Sequence, residues 1–183
     1  MMNKALFLDR DGIINVDHGY VHKAEDFEFL EGIFELCQRA MEKGYQIFVI
    51  TNQAGIARGY YDIATFEILS NWMVNEFSKH KVTITKVYFC PHHPTKGINN
   101  FVMPCECRKP EPGMINQAQK EYGITLADSI FIGDKVSDMQ AANNAGIKSR
   151  ILVDSRYTQE SPTDKLEGVI RINELKQAIE YIV

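Results

Sequence analysis

The chain of 183 residues has little that would suit it to a membrane, to nucleic acid or to secretion. No apolar run approaches the ~18 residues that a membrane-spanning helix needs. Positive charge is not in excess. Lys and Arg number 20 against 24 Asp and Glu, a formal net charge of -4, and no basic stripe runs along the chain. That excludes the electrostatic footprint of a nucleic-acid binder. The start of the chain, ALFL followed by charged DRDG, carries no export signal, so a cytoplasmic location is expected. Cysteine is scarce, with four in all. In a reducing compartment, clustered cysteines read as metal ligands or catalytic groups more readily than as disulfides. Internal repeats, low-complexity tracts and linkers are also missing. What remains is ordinary globular composition, 45% hydrophobic and 24% charged. The length suits one domain over residues 1–183.

The apolar pattern predicts strands at Lys4–Leu8, Tyr45–Thr51, Ile84–Cys90, Ser129–Gly133, in SRILV and in GVIRI. Between them it predicts helices. One covers Gly32 to Lys43, with Ile33, Leu36, Cys37, Ala40 and Met41 on one face and Gly44 as its stop. A long one runs from an Asp62 cap to about Lys81, with Phe66, Leu69, Trp72 and Met73 as its apolar stripe. Others are expected near Gly113–Tyr122, in SDMQAANNAG, and after Asn173 as a cap. NQAGIARG reads as a loop. Cys37 reads as a small core residue. Strands alternating with helices predict an α/β, Rossmann-like doubly wound parallel sheet. In such sheets ligands bind beyond the carboxyl ends of the strands.

At those ends stand Asp9-Arg10-Asp11-Gly12, Thr51-Asn52-Gln53, the cysteine-bearing loop ending in Arg108-Lys109, and Gly133-Asp134-Lys135 with Asp138 one turn on. Asp9, Asp11 and Asp134 offer hard oxygen ligands suited to Mg²⁺. A carboxylate can also attack phosphorus, and a second one two residues away can serve as acid and base. Thr51, nearby amides and Lys109 can neutralise a transferring phosphoryl group. A lone aspartate after a strand is a turn former or cap more often than a catalyst. The order DxDG, Thr, Lys, GDxxxD is what carries the argument. A calcium loop is excluded, because DRDGIINVDHGY lacks the further ligand and closing Glu at the required spacing.

Cys90, His92, Cys105 and Cys107 supply a Cys₃His set suited to tetrahedral Zn²⁺. A thiol redox site is the alternative at this point, although CxC fits the usual CxxC pattern poorly. The segment between Pro91 and Pro104 has few large apolar residues, so a bound metal would order it.

LDRDG, VITNQ, RKP and GDKVSD resemble the four ordered motifs of the haloacid dehalogenase-like phosphohydrolases. LDRDGIINVDHGYVH, TNQAGIARG, CPHHP, CECRKPEPGM and GDKVSDMQAA are similar to the heptose 1,7-bisphosphate phosphatases within that superfamily. The histidinol-phosphate phosphatases share much of this pattern. The resemblance implies a capless fold with a zinc loop at about 90–109. It implies Mg²⁺-dependent removal of the 7-phosphate of D-glycero-D-manno-heptose 1,7-bisphosphate through an aspartyl-phosphate, in the supply of heptose for lipopolysaccharide. It makes Asp9 the nucleophile and Asp11 the general acid and base. Thr51 and Lys109 steady the phosphoryl group. Asp9, the Asp11 carbonyl and Asp134 hold Mg²⁺, while Asp138 stands behind them, orienting Lys135. Cys90, His92, Cys105 and Cys107 hold a structural Zn²⁺, with His93 outside the set. Three loops shape the substrate pocket: Asp17, His18, Gly19 and Tyr20; Asn52, Gln53 and Ala54; and the cysteine loop with Arg108 and Lys109. Lys135 joins them. The implied partner is a small sugar bisphosphate, and a monomer is expected. Histidinol phosphate hydrolysis and a non-catalytic zinc-stabilised binding module are the competing readings.

Overall fold

The structure, a computed structural model, describes residues 3–160 and 166–183. Six strands, β1 (Lys4–Leu8), β2 (Tyr45–Asn52), β3 (Ile84–Cys90), β4 (Ile130–Gly133), β5 (Ser149–Val153) and β6 (Val169–Ile172), form one sheet in the order β3-β2-β1-β4-β5-β6. Every pairing is parallel. The helices are α1 (Ile33–Glu42), α2 (Ala54–Ala57), α3 (Ile63–Lys79), α4 (Gly113–Tyr122), α5 (Val136–Ala145) and α6 (Arg156–Glu160).

Strand alternation decides which helices meet which face, because successive side chains point to opposite sides. Leu6, Leu8, Ile47, Val49, Ile130 and Ile132 pack with Leu36 of α1 and Met73 and Phe77 of α3. Ala5, Phe7, Phe48, Ile50 and Phe131 pack with Met114 and Ile115 of α4 and Met139 of α5. Both faces are therefore covered, as the apolar runs of the strands require. Cys37 is fully buried in the first of these layers, and Trp72 packs against it half-buried.

The predicted elements hold with three differences. NQAGIARG is not all loop: Ala54–Ala57 make one helical turn, with Gly55 packed where a Cβ would collide with the Tyr61 ring. So two helices, not one, follow β2. The last helix is a 3₁₀ helix over Leu175–Tyr181 capped by Glu174 rather than Asn173. Gln177 accepts the backbone N–H of both residues. And α6 follows β5 where no helix is expected from the sequence. Asp62 caps α3 as predicted, its Oδ1 accepting the Thr65 N–H at 2.8 Å.

The order reversal falls between β1 and β4, which places a crevice beyond their carboxyl ends. From β1 to α1 the described chain carries only one short 3₁₀ turn, Ala24–Asp26.

Candidate active site

Asp9 follows β1 directly, and its N–H continues the β1–β4 ladder to the Ile132 carbonyl at 3.1 Å. Its carboxylate is thereby fixed at the switch point. Asp9 Oδ1 accepts the Arg10 N–H at 2.8 Å and faces Lys109 Nζ at 2.9 Å. Lys109 arrives from the loop after β3. Its Nζ also donates to the Ile50 carbonyl at 2.8 Å and meets Asp138 Oδ1 at 2.7 Å. Lys109 is 4% exposed. Burial disfavours its charge, but Asp138 and Asp9 outweigh that and hold its pKa above the ordinary lysine value. Asp138 meets Lys135 at its backbone rather than at its side chain. Its Oδ2 accepts the Lys135 backbone N–H at 3.0 Å, and its other oxygen anchors Lys109. The physical reason is position: Asp138 is fully buried, whereas the Lys135 side chain reaches outward into the cavity.

Asp134 completes an acidic group with Asp9 and Asp138, one ligand atom from each lying within 4.8 Å of the others. Neither Asp134 oxygen has a hydrogen-bond partner among the described residues, although the residue is 1% exposed. Lys135 Nζ stands 3.8 Å from Oδ1. Burial, reinforced by Asp9 and Asp138, pushes Asp134 up to about 8. Gly12, at φ +94°, comes so close to Asp134 that a Cβ there would collide with the carboxylate. Orphaned, buried, convergent carboxylate oxygens fit a hard divalent cation, which supplies the missing partner.

Asp11 points elsewhere. Oδ1 accepts from Arg10 Nη2 at 2.8 Å and Asn15 Nδ2 at 3.1 Å, and Oδ2 accepts from Gln53 Nε2 at 3.1 Å. Gln53 Nε2 also donates to Thr51 Oγ1 at 2.8 Å, and Tyr61 donates to Gln53 Oε1 at 2.6 Å. The Asp11 carboxylate decides the orientation of the amide, since it only accepts and so must face the NH₂. Arg10, the residue between the two aspartates, is 1% exposed and also donates to the Val21 carbonyl at 2.7 Å. Its guanidinium lies about 6 Å from the Phe27 and Phe66 rings. Neither Arg10 nor Tyr61 stands out in the sequence as a site residue.

A cavity of about 600 Å³ opens above these groups. Of the expected substrate-contacting residues, it is lined by Asp17, Gly19, Tyr20, Asn52, Gln53, Ala54, Arg108, Lys109 and Lys135. His18 and Thr51 do not line it: His18 faces an adjoining hollow and pairs with Glu28 at 3.1 Å, and Thr51 is buried with its hydroxyl on Gln53. Asn52 grips the backbone of Lys109 at both ends, donating to its carbonyl at 3.1 Å and accepting its N–H at 3.0 Å. Arg156 and Tyr157 of α6 complete the wall. Applying the strand-end rule to β5 as well would have found them.

The cysteine loop folds back on itself. Sγ–Sγ separations are 2.9 Å for Cys90–Cys107, 3.5 Å for Cys90–Cys105 and 3.4 Å for Cys105–Cys107. His92 Nδ1 lies 3.4 Å from Cys107 Sγ and 3.7 Å from Cys90 Sγ. All three thiols are free. Four convergent soft and borderline donors match a closed tetrahedral Zn²⁺ site. His93 faces away, its Nδ1 accepting the N–H groups of Thr95 and Lys96 at 3.2 and 2.9 Å. Arg108 Nη1 donates to the His92 carbonyl at 3.1 Å, which ties the cavity wall to this cluster.

A HAD-hydrolase-like family model matches residues 106–177. The D-glycero-alpha-D-manno-heptose-1,7-bisphosphate 7-phosphatase of Campylobacter jejuni is 51% identical over 153 residues, 84% of each chain. The D-glycero-beta-D-manno-heptose-1,7-bisphosphate 7-phosphatase of Haemophilus ducreyi is 39% identical over the full length of both chains. Among solved structures, a D,D-heptose 1,7-bisphosphate phosphatase of B. bronchiseptica complexed with magnesium and phosphate superposes with a TM-score of 0.84. It shares 30% identity and covers 98% of this chain and 97% of that one. With its strand-end carboxylates, buried lysine and cysteine loop set on this sheet, the chain belongs to the heptose-1,7-bisphosphate 7-phosphatase family of haloacid dehalogenase-like phosphoric monoester hydrolases.

Proposed function

We propose that the chain hydrolyses the 7-phosphate of D-glycero-D-manno-heptose 1,7-bisphosphate, leaving heptose 1-phosphate. The observation that carries this is the Asp9 carboxylate held at the switch point against Lys109, beside the unpartnered Asp134. The relatives named for this substrate support its identity.

Both contacts to Asp9 fall on Oδ1, which leaves Oδ2 to attack phosphorus. That step forms an aspartyl-phosphate and breaks the bond from phosphorus to the sugar oxygen. Asp11 gives the departing oxygen its proton, then takes one from the water that attacks the aspartyl-phosphate and frees phosphate. Arg10, Asn15 and Gln53 hold Asp11 in place from both of its oxygens. Lys109 and Thr51 meet the equatorial phosphoryl oxygens. Asp9, the Asp11 carbonyl and Asp134 would hold Mg²⁺, which supplies charge neutralisation for the phosphoryl group. Cys90, His92, Cys105 and Cys107 would hold Zn²⁺, whose filled coordination keeps it out of the chemistry. A single domain over 1–183 acting alone on a small sugar bisphosphate is the simplest assembly.

The test is phosphate release with Mg²⁺ from heptose 1,7-bisphosphate, other sugar bisphosphates and histidinol phosphate. Heptose bisphosphate is expected to be the best substrate, with the 1-phosphate retained by ³¹P NMR. Equal or faster turnover of histidinol phosphate overturns the substrate. D9N is expected to lose about 10³-fold or more in kcat; a D9N protein with near wild-type turnover overturns the mechanism.

A further inference from the structure

The cavity wall built by α6 lies outside every motif considered so far. The Tyr157 hydroxyl donates to Asp17 Oδ2 at 2.8 Å and receives a hydrogen bond from Arg156 Nη2 at 2.7 Å. Its ring face meets Lys135 Nζ at 4.4 Å and the Arg156 guanidinium at 4.8 Å, both within cation–π range. Lys135 Nζ and Arg156 Nη2 stand 3.6 and 3.7 Å from Asp17 Oδ2. One aromatic side chain thus fastens a carboxylate and two cations that come from three separate strand ends.

The mount is tied to the site. Ser155 Oγ donates to the Asp134 carbonyl at 3.0 Å and accepts the Tyr157 N–H at 3.2 Å. Asp17 is set from its other side by the Gly19 N–H, which Oδ1 accepts at 3.0 Å. Burial would raise the Asp17 carboxyl, yet the Tyr157 hydroxyl and Lys135 outweigh it and leave the pKa below its ordinary value. Asp17 is therefore an ionised, oriented acceptor.

A bisphosphate needs cations for its second phosphate. The cavity-lining cations are Lys109, Arg108, Lys135 and Arg156. Lys109 is committed to Asp9 and Asp138 at 2.9 and 2.7 Å, at the reacting end of the cavity. The second phosphate must meet the others, and two of these three are set by Tyr157. An acceptor flanked by cations suits a polyhydroxylated chain that ends in phosphate.

We propose that Tyr157 is a positioning residue for the non-reacting end of the substrate, latching Asp17, Lys135 and Arg156 into one wall that reads sugar hydroxyls and the second phosphate. This rests on the sugar bisphosphate reading above. The test compares kcat/KM for heptose 1,7-bisphosphate with kcat/KM for p-nitrophenyl phosphate, a monoester without sugar hydroxyls or a second phosphate. Wild type, Y157F, D17N and D17N/Y157F are measured as full chains with Mg²⁺.

In Y157F the ratio of the two values is expected to fall about tenfold, mostly through KM for the bisphosphate. The double variant is expected to lose less than the sum of the two single losses, because both single changes remove the Tyr157–Asp17 contact. An unchanged ratio in folded Y157F overturns the latch. So does a parallel loss on both substrates, which would mean that Tyr157 supports only the fold. Should Y157F fail to fold, R156Q is measured in the same way, at a side chain 60% exposed; an unchanged ratio there also overturns it. Wild type that cleaves p-nitrophenyl phosphate but not heptose bisphosphate overturns the substrate reading first, and the latch with it.

Discussion

Lys109 Nζ lies 2.7 Å from Asp138 Oδ1, with the two side chains 2% and 1% exposed. The lysine that faces the candidate nucleophile is thus held from behind by a carboxylate of α5 that has no path to substrate. Removing one partner of a buried ion pair is costly, because the other charge is left without compensation. D138N keeps an oxygen for the Lys135 N–H and takes from Lys109 both the charge and the acceptor that face it. It is expected to cost about 2–4 kcal/mol of stability in urea unfolding, softened because Asp9 remains beside Lys109. With Lys109 less firmly placed, kcat is expected to fall about 10²-fold. Wild-type stability and turnover in D138N would show that Asp9 alone positions the lysine.

Asp134 predicts a metal response with a pH signature. Saturating Mg²⁺ is expected to raise the melting temperature by several degrees, as binding at about 100 times Kd contributes roughly 2.7 kcal/mol. D134N is expected to lose that shift. In EDTA, a carboxyl raised from 3.8 to about 8 by burial gives stability that is full below pH 3.8 and is lost as pH rises towards 8. Relative to D134N, whose amide does not titrate, the metal-free wild type should therefore weaken across that window. Parallel melting curves for the two proteins from pH 5 to 8 in EDTA would count against the buried, unpartnered state of Asp134.

The cysteine cluster predicts one zinc per chain by elemental analysis and a lower content in C107S. Removing zinc is expected to lower the melting temperature and to expose residues 91–104 to protease, since that segment has little core of its own. Arg108 is tied to the His92 carbonyl and Lys109 follows it, so kcat/KM should drop at least about tenfold. Zinc-free protein with normal activity and selectivity would detach the loop from the site.

Gly12 packs directly against the Asp134 carboxylate. G12A places a methyl group against the Asp134 carboxylate, at φ +94°. The strain is of order 1–3 kcal/mol. The expected outcome is weaker Mg²⁺ binding by calorimetry and lower kcat in a protein that still folds. Unchanged Mg²⁺ affinity would place the cation away from Asp134.

Much of this was legible one residue at a time. Asp9, Thr51, Cys90 and Asp134 announce themselves because apolar runs end at them, and a parallel sheet brings all such ends to one edge. Asp62 reads as a cap and Asn173 as another, but the second is taken over by Glu174 and Gln177, whose side chain reaches back to both N–H groups. The single turn at Ala54–Ala57 has no helical period long enough to detect, and it forms because Gly55 lies against Tyr61. Arg10 stands between two aspartates and carries no signal of its own in the sequence. Only the packing of Phe27 and Phe66 around it shows a buried clamp on Asp11.

The sequence by itself determined the six strands and the longer helices in their order along the chain, the residues at the strand ends and the donor set of the cysteine loop. Those follow from local periodicity and residue chemistry, which survive in one dimension. The tertiary structure alone decided the pairings: Lys109 with Asp138, Gln53 with both Thr51 and Asp11, and Tyr157 on Asp17, 140 residues away. Such partners depend on side-chain direction and burial at a shared edge, and no local pattern in the chain encodes which of several neighbours will meet.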